Sequence, residues 1–240
     1  YYADDYQTFY LEGLMAGALT KTGKLGFIAP HLIPPVLLRI NAFALGAQVI
    51  NSDITVHVRV LNTWYDPAKA REAAEALISE GVDVIASIED SPAEIMLAQE
   101  KYNESNGAQL IYTFSHTSPM YKYGPDVVVS GNLLHWEVIY EDILTKVYSG
   151  TYNTTNLKDV DYWWMLKEGA CSLGADYNMT INPKFVDELQ SVYVDDPILG
   201  NNSVYDLVMI RLAQMSDERV IFDPFIGPIY ASNGTMVLKT

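Results

Sequence analysis

The chain has 240 residues, of which 49% are hydrophobic, and this is enough to bury the core of one large domain or of two small lobes. Fifteen basic and 30 acidic residues leave a formal net charge of −15, which argues against nucleic-acid binding and against an anionic membrane surface, because both need a basic face. The single cysteine, Cys171, excludes an internal disulfide bond and a cysteine-based metal cluster.

Short apolar strands alternate with helices along the first 150 residues. The periodicity predicts helices over 6–21, 34–50, 67–80, 92–104 and 136–148, and strands over 24–30, 55–61, 82–88, 109–114 and 127–131. Asp66 is the expected N-cap of the third helix, with Pro67 at its first position. Because the strands are apolar on both faces, the sequence predicts an α/β fold in which helices cover a parallel sheet.

The last third of the chain is less regular. We expect a strand within 161–173, helical segments over 184–194 and 203–215, and a hairpin that turns at Ser232, Asn233 and Gly234. An α/β fold does not normally open on a helix such as 6–21, so we also expect upstream βα units that are absent from this chain.

Asn-x-Ser/Thr occurs at five positions, more often than composition predicts, namely Asn103, Asn153, Asn178, Asn201 and Asn233. One reading is glycosylation of surface loops outside the cell. The other is that Asn and Thr both favour turns. Both readings remain open at this point.

The loops that follow the predicted strands are rich in histidine, acidic and aromatic residues. They contain Pro30 and His31, Trp64 and Tyr65, Glu89, Asp90 and Ser91, Ser115 and His116, and Asn132 and His135. Ligands of parallel sheets bind beyond the carboxyl ends of the strands, so these residues are the candidate site. A carboxylate there can accept a hydrogen bond from a sugar hydroxyl or a purine amino group.

Structural roles compete with binding at several of these positions. Asp90 or Ser91 could cap the next helix, with Pro92 in its first turn. Trp64 could cover the sheet edge instead of stacking on a planar ring or a sugar face. Trp163 and Trp164 are expected in core or interlobe packing. The four histidines show no i, i+4 pair, and no phosphate loop, dinucleotide fingerprint or hydrolase motif is present, so the sequence predicts neither a metal site nor a cofactor.

Several segments carry a family resemblance: TKTGKLGFIAP, NAFALGAQ, NTWYDPAKAREAAEALISEGVDVIA and IGPIYASNG. They resemble the basic-membrane-protein family, solute-binding lipoproteins of ABC transporters that include purine nucleoside receptors. The resemblance implies a type I periplasmic-binding-protein fold, with two parallel-sheet lobes joined by hinge crossovers and the first lobe incomplete in this chain. It implies that 1–22 end the N-terminal lobe, 23–128 form the C-terminal lobe and 129–160 return to the N-terminal lobe. Residues 161–240 would then hold a crossover, the rest of the C-terminal lobe and the C-terminal hairpin.

The resemblance also implies a site and a role. Nucleoside-binding members have a Gly-rich segment where this chain has SIEDSP, whereas another branch has a Thr-Asp-Ser stretch closer to Glu89-Asp90-Ser91 and an Asn-Trp pair that matches His135-Trp136. The expected ligand is a purine nucleoside or base in an interlobe cleft. The expected contacts are Trp64, Glu89, Asp90, Ser91, His116, Asn132, His135, Trp136 and His31.

The expected partners are ABC permease subunits and, through an upstream anchor, the outer face of a membrane. An alternative is a ligand-sensing domain of a regulator or receptor, since one fold serves both uses. A hydrolase that acts through Glu89 or Asp90 with His116 is a third hypothesis.

Overall fold

The computed structural model describes residues 1–158, 160–219, 221–230 and 234–239. Its helices are α1 (Tyr6–Leu19), α2 (Pro34–Ile50), α3 (Pro67–Ser79), α4 (Ala93–Glu104), α5 (Trp136–Tyr148), α6 (Val186–Ser191) and α7 (Val204–Ser216). Its strands are β1 (Tyr2–Ala3), β2 (Lys24–Ala29), β3 (Thr55–Val60), β4 (Val84–Ser87), β5 (Tyr112–Thr117), β6 (Val128–Leu134), β7 (Trp163–Trp164), β8 (Cys171–Leu173), β9 (Tyr193–Asp196), β10 (Gly200–Ser203), β11 (Ile229–Tyr230) and β12 (Met236–Leu238).

A six-stranded sheet in the order β3-β2-β4-β5-β6-β8 is the centre of the fold. β2 to β6 are parallel, and β8 runs antiparallel to β6 at one edge. The carboxyl ends of the parallel strands therefore meet at one edge of the sheet. This arrangement confirms the predicted α/β fold with a mainly parallel sheet.

Helices cover both faces of this sheet. The larger core packs α1, α2, α6 and α7 against one face through apolar side chains such as Phe9, Phe43 and Leu207. The second core packs α3 and α4 against the other face, with Ala74, Leu77 and Ile95 buried. α3 begins where the sequence predicts, because Asp66 Oδ1 accepts a hydrogen bond from the Lys69 N–H as an N-cap.

Helices α1 and α2 pack closely because glycines face each other across the contact. A Cβ atom at Gly46 would lie 2.1 Å from the Tyr10 carbonyl oxygen, and one at Gly13 would lie 2.1 Å from the Phe43 carbonyl oxygen. Nearly all of α1 is buried, including the polar side chain of Glu12. By these contacts α1 belongs to the layer that covers the six-stranded sheet, and the predicted division into lobes stays a prediction.

A small third core lies beside the main body. It contains Ala3, Ile139, Tyr162 and Ala170, with Trp164 packed against them. β1 and β7 pair in parallel here, and Asp4 N–H donates to the Trp164 carbonyl oxygen at 2.8 Å. The chain thus passes between the third core and the main sheet at β1, at the end of β6 and at β7.

The irregular last third differs from the prediction in detail. The strand expected within 161–173 is two short strands, β7 and β8, because residues between them form a turn. The segment 184–194 is only partly helical, since α6 ends at Ser191 and β9 follows. β11 and β12 pair antiparallel, as a hairpin requires. Of the predicted turn residues, Ser232 and Asn233 lie outside the described residues, and so does the Asn233 glycosylation motif.

The asparagines of the other four Asn-x-Ser/Thr motifs are exposed. Among the helices of the described residues, none has the length and apolar character needed to span a bilayer.

Candidate functional site

A cleft of about 250 Å³ lies at the carboxyl edge of the parallel sheet. Its walls come from the ends of β1, β4, β5 and β6, the first turns of α2, and the loop after β3. The side chains that give it chemical character are Tyr2, Asp5, Arg39, Trp64, Asp90, His116, Thr117 and Trp136. The sequence-based rule of strand ends therefore located the cleft, and Trp64, Asp90, His116 and Trp136 were predicted for it.

Trp64 and Tyr65 have different positions in the loop after β3. Trp64 lines the cleft, is 45% exposed and contacts His31 edge to face, with 5.6 Å between the ring centroids. Tyr65 is 64% exposed and does not line the cleft. The Trp64 carbonyl oxygen accepts a hydrogen bond from Asp90 N–H at 3.0 Å, which ties this loop to the one after β4. Trp64 is thus the aromatic of the pair that lines the cleft.

Glu89 is buried and holds the two loops together. Its carboxylate accepts hydrogen bonds from Asp66 N–H at 2.8 Å, from Ser91 N–H at 2.9 Å and from the Ser91 hydroxyl at 2.5 Å. Neither Asp90 nor Ser91 caps α4, because Pro92 occupies the N-cap position without a side-chain bond. Glu89 and Ser91 therefore support the loop that carries Asp90.

Asp90 is the exposed member of this acidic group and faces the cleft. Partial burial, together with the charge of Glu89, raises the pKa of Asp90 above its ordinary value. Within the described residues its side chain has no hydrogen bond, so its oxygens are available to a ligand donor.

A buried ion pair that the sequence analysis does not predict forms the floor of the cleft. Arg39 on α2 contacts the Asp5 carboxylate through Nε, lies 3.6 Å from Asp4 Oδ1 through its terminal nitrogen, and donates to the Pro35 carbonyl oxygen at 2.9 Å. Asp5 Oδ2 is buried and has no hydrogen-bond partner among the described residues. Burial, against the opposing charge of Arg39, raises the pKa of Asp5 to about 6. An arginine in the middle of the apolar segment 33–50 is the sequence signal that points to this pair.

His116 forms part of the wall and is backed by Asn132. His116 Nδ1 lies 2.9 Å from Asn132 Oδ1, and Asn132 is completely buried. Burial and the nearby charge of Arg39 lower the pKa of His116 to about 3, so the imidazole is neutral at ordinary pH. Asn132 does not line the cleft itself but contacts two residues that do, His116 and Thr117.

The next residue, Thr117, has an unusual backbone conformation. Its φ of 57° lies in the left-handed region, which β-branched residues rarely adopt. The turn is closed by Ser118 N–H donating to the His116 carbonyl oxygen at 2.6 Å. Strained backbone of this kind is concentrated at ligand sites, and Thr117 lines the cleft.

The remaining predicted residue is His135, which the structure places beside the cleft. Its Nε2 lies 2.7 Å from Ser172 Oγ and its Nδ1 lies 3.1 Å from Glu137 Oε1. Its neighbour Trp136 lines the cleft and stacks on Tyr140, with 6.3 Å between the ring centroids. Within the ranges that the structure describes, no three His, Cys, Asp or Glu residues are arranged to hold a metal ion.

Residues 4–196 match the Bmp family, described as ABC transporter substrate-binding protein PnrA-like. The chain is 31% identical, over its whole length, to a purine-binding protein of Brucella abortus, of which it covers 58%. It is also 31% identical, over 77% of its length, to a Haloferax volcanii protein named as a candidate ABC transporter glucose-binding protein, of which it covers 44%. The chain thus spans about half the length of these two relatives.

Solved structures share the fold. An ABC transporter solute-binding protein from Aeropyrum pernix superimposes with a TM-score of 0.63 at 16% identity, over 89% of this chain and 64% of that one. At this identity the likeness supports the type I periplasmic-binding-protein fold alone. The match over residues 4–196 and the 31% identity to a purine-binding relative show that the chain belongs to the PnrA-like family of ABC transporter substrate-binding proteins.

Proposed function

We propose that the cleft binds a purine nucleoside or purine base and that the protein delivers this ligand to an ABC permease. The observation that carries the proposal is the pairing of aromatic rings with hydrogen-bond acceptors around one cavity. Trp64 and Trp136 offer flat apolar surfaces, and Asp5, Asp90 and His116 offer acceptor atoms. A purine has a planar face to stack and, in its amino and ring N–H groups, donors to pair.

The charges of the cleft favour a neutral ligand with several donors. Arg39 is already engaged by Asp4 and Asp5, and Asp90 adds a further negative charge. A phosphorylated nucleotide would place its dianion beside the Asp90 carboxylate, which costs free energy because like charges repel. We therefore expect nucleosides and bases to bind more tightly than nucleoside monophosphates.

The volume of the cleft is what we expect if this chain forms one wall of a site that a second lobe completes. Its volume of about 250 Å³ is below the roughly 300–1,000 Å³ typical of complete ligand pockets. A second wall from another lobe would enclose the ligand, and hinge closure of such lobes would present it to the permease. On this proposal the protein acts outside the cytoplasm, performs no catalysis and is held at a membrane by a lipid or helical anchor.

Titration calorimetry of the full-length protein tests the proposal. The panel contains adenosine, guanosine, inosine, adenine, hypoxanthine, adenosine monophosphate and glucose, the last because one relative is named for glucose. We expect a purine nucleoside or base to bind most tightly. If no purine nucleoside or base has a dissociation constant below about 1 mM, which corresponds to a binding free energy of about −4 kcal/mol, the purine proposal is wrong. Tighter binding of glucose would replace the purine by a sugar.

A matched pair of variants tests the aromatic contact. Trp64→Ala removes the ring that lines the cleft, whereas Tyr65→Ala removes its exposed neighbour. Base stacking on an aromatic side chain contributes about 1–3 kcal/mol, so Trp64→Ala should weaken purine binding roughly 5- to 150-fold. Tyr65→Ala should leave the dissociation constant within about twofold. Equal effects of both variants would contradict the assignment of Trp64 to the ligand.

A further inference from the structure

Three buried polar side chains connect α1 with the wall of the cleft. Glu12 Oε1 accepts a hydrogen bond from Asn132 Nδ2 at 3.0 Å, and Asn132 Oδ1 lies 2.9 Å from His116 Nδ1. Glu12 and Asn132 have no exposed surface, and His116 is 4% exposed, at the cleft. The other carboxyl oxygen, Glu12 Oε2, is buried and has no hydrogen-bond partner among the described residues, so the orientation of the chain is set by the contacts of Asn132.

The contacts of Asn132 determine which way its amide points. Oδ1 also accepts a hydrogen bond from Thr117 N–H at 3.1 Å, and Nδ2 also lies 3.4 Å from the Ser115 carbonyl oxygen. Rotating the amide by 180° would place its NH₂ group against the Thr117 N–H, donor against donor. Asn132 Oδ1 therefore faces His116. Because this oxygen can only accept a hydrogen bond, His116 Nδ1 must carry the proton and donate it.

This assignment leaves His116 Nε2 without a proton. A neutral imidazole has one donor nitrogen and one acceptor nitrogen, so Nε2 is the acceptor. Within the described part of the chain, Nε2 has no hydrogen-bond partner, and the ring lies in the cleft wall. The pKa of His116, lowered by burial and by Arg39 to about 3, keeps the ring in this neutral form.

We propose that His116 reads the ligand by accepting a hydrogen bond through Nε2, and that Asn132 and Glu12 are positioning residues that hold the required tautomer. This inference rests on the proposed function and deepens it. The ligand must place an N–H or O–H donor at Nε2, such as the amino group of an aminopurine or a ribose hydroxyl. A ligand with an acceptor or a methyl group at that point would be rejected, because two acceptors repel and a methyl group leaves Nε2 unpaired.

Nuclear magnetic resonance tests the tautomer without any ligand. The full-length protein is labelled with ¹⁵N in its histidine rings, and the signals of His116 are identified by their loss in His116→Gln. We expect a protonated Nδ1 and an unprotonated Nε2 from about pH 5.5 to 8, the range in which an ordinary histidine titrates. A protonated Nε2, or a ring that titrates in this range, would overturn the proposal.

Two variants separate positioning from packing. Glu12→Gln keeps an acceptor oxygen for Asn132, so the Nδ1–H tautomer should persist. Asn132→Leu keeps the approximate size but removes the acceptor, so the Nε2–H tautomer should become populated. If the Asn132→Leu protein keeps the pure Nδ1–H tautomer, Asn132 does not position His116. If Asn132→Leu does not fold, Asn132→Ala, which removes the same acceptor without adding bulk, takes its place in this test.

Calorimetry with adenosine, or with the purine that the wild type binds most tightly, tests the ligand contact. His116→Phe keeps a ring but removes the acceptor, and binding should weaken roughly 5- to 150-fold. His116→Gln can offer an oxygen near the Nε2 position and should lose less. His57→Phe, on the edge strand β3, is the matched control and should leave binding unchanged.

The outcomes distinguish the two proposals. If the wild type binds no purine, the proposed function fails, and the spectra still decide the tautomer. If a purine binds and His116→Phe leaves its affinity unchanged, the proposed function stands and the role of His116 as a reader of the ligand is refuted.

Discussion

The contact between α1 and α2 supports a sharp prediction, because glycine is required at its centre. In Gly46→Ala the new Cβ would lie 2.1 Å from the Tyr10 carbonyl oxygen and 3.1 Å from Gly13 Cα, where ordinary contacts are 3.4–4 Å. Both neighbours are backbone atoms of α1, so no side chain can rotate away. The two helices must therefore separate by about 1 Å, and this perturbs the larger core on both sides.

The expected loss of stability follows from two opposing effects. Overpacking of a closely packed core typically costs about 1–3 kcal/mol, and more where the backbone must move. Replacing glycine by alanine within a helix returns up to about 1 kcal/mol of helix propensity. We expect the free energy of unfolding of Gly46→Ala to fall by about 1–3 kcal/mol.

Urea denaturation of the full-length protein, followed by circular dichroism, measures this change. The matched control is Gln48→Ala, on the exposed face of the same helix, for which a change within about 0.5 kcal/mol is expected. An unchanged or higher stability of Gly46→Ala would refute the close contact. An equal loss in Gln48→Ala would show that the helix, and not the contact, is sensitive.

Three further predictions concern charges and caps. Burial raises the pKa of Glu94 to about 8 from an ordinary 4.5, so the folded state binds this proton more tightly than the unfolded state, and stability should fall as pH rises from about 4.5 to 8. Glu94→Gln should remove this slope and stabilise the protein at pH 7 by on the order of 3 kcal/mol, as urea titrations at several pH values will measure; an unchanged slope would contradict the assignment. Arg39→Met leaves Asp4 and Asp5 buried without their cation and should cost about 3–5 kcal/mol at pH 7. That loss should be smaller at pH 5, because Asp5 has a pKa of about 6 and takes up a proton there. A loss that does not depend on pH would contradict the assignment of the buried charge to Asp5. Asp66→Ala removes the N-cap bond to Lys69 and should lower the free energy of unfolding by about 1 kcal/mol, with no loss expected for exposed Asp53→Ala.

Two groups of residues in the cleft have different roles, and substitutions can tell them apart. Glu89 and Ser91 fasten the loops that carry Trp64 and Asp90, whereas Arg39 and Asp5 form the floor. Substitutions in the first group should change both stability and binding, because they release the loops. Substitutions of Trp64 or Asp90 themselves should change binding alone, since both side chains face solvent or the cleft.

The sequence by itself determined the local structure and the location of the cleft. The alternation of apolar strands and helices predicted the parallel sheet, and Asp66 with Pro67 predicted the start of α3. Parallel strands all end at one edge, so the residues after them could be placed near one another without coordinates. Trp64, Asp90 and His116 were predicted in this way, because each lies at or just after a strand end, whereas Trp136 came from the family resemblance.

Only the tertiary structure decided which side chains face the cleft and what holds them. Asp5 and Arg39 are 34 positions apart, and Glu12 and Asn132 are 120 apart, so no local pattern pairs them. The sequence does not predict that the Glu89 carboxylate is buried in hydrogen bonds to the loops while Asp90 is exposed. The two residues are adjacent and have the same chemistry, so only their burial in the folded chain distinguishes them. The direction of a buried hydrogen bond depends on all the partners around it, and those partners are assembled from distant segments when the chain folds.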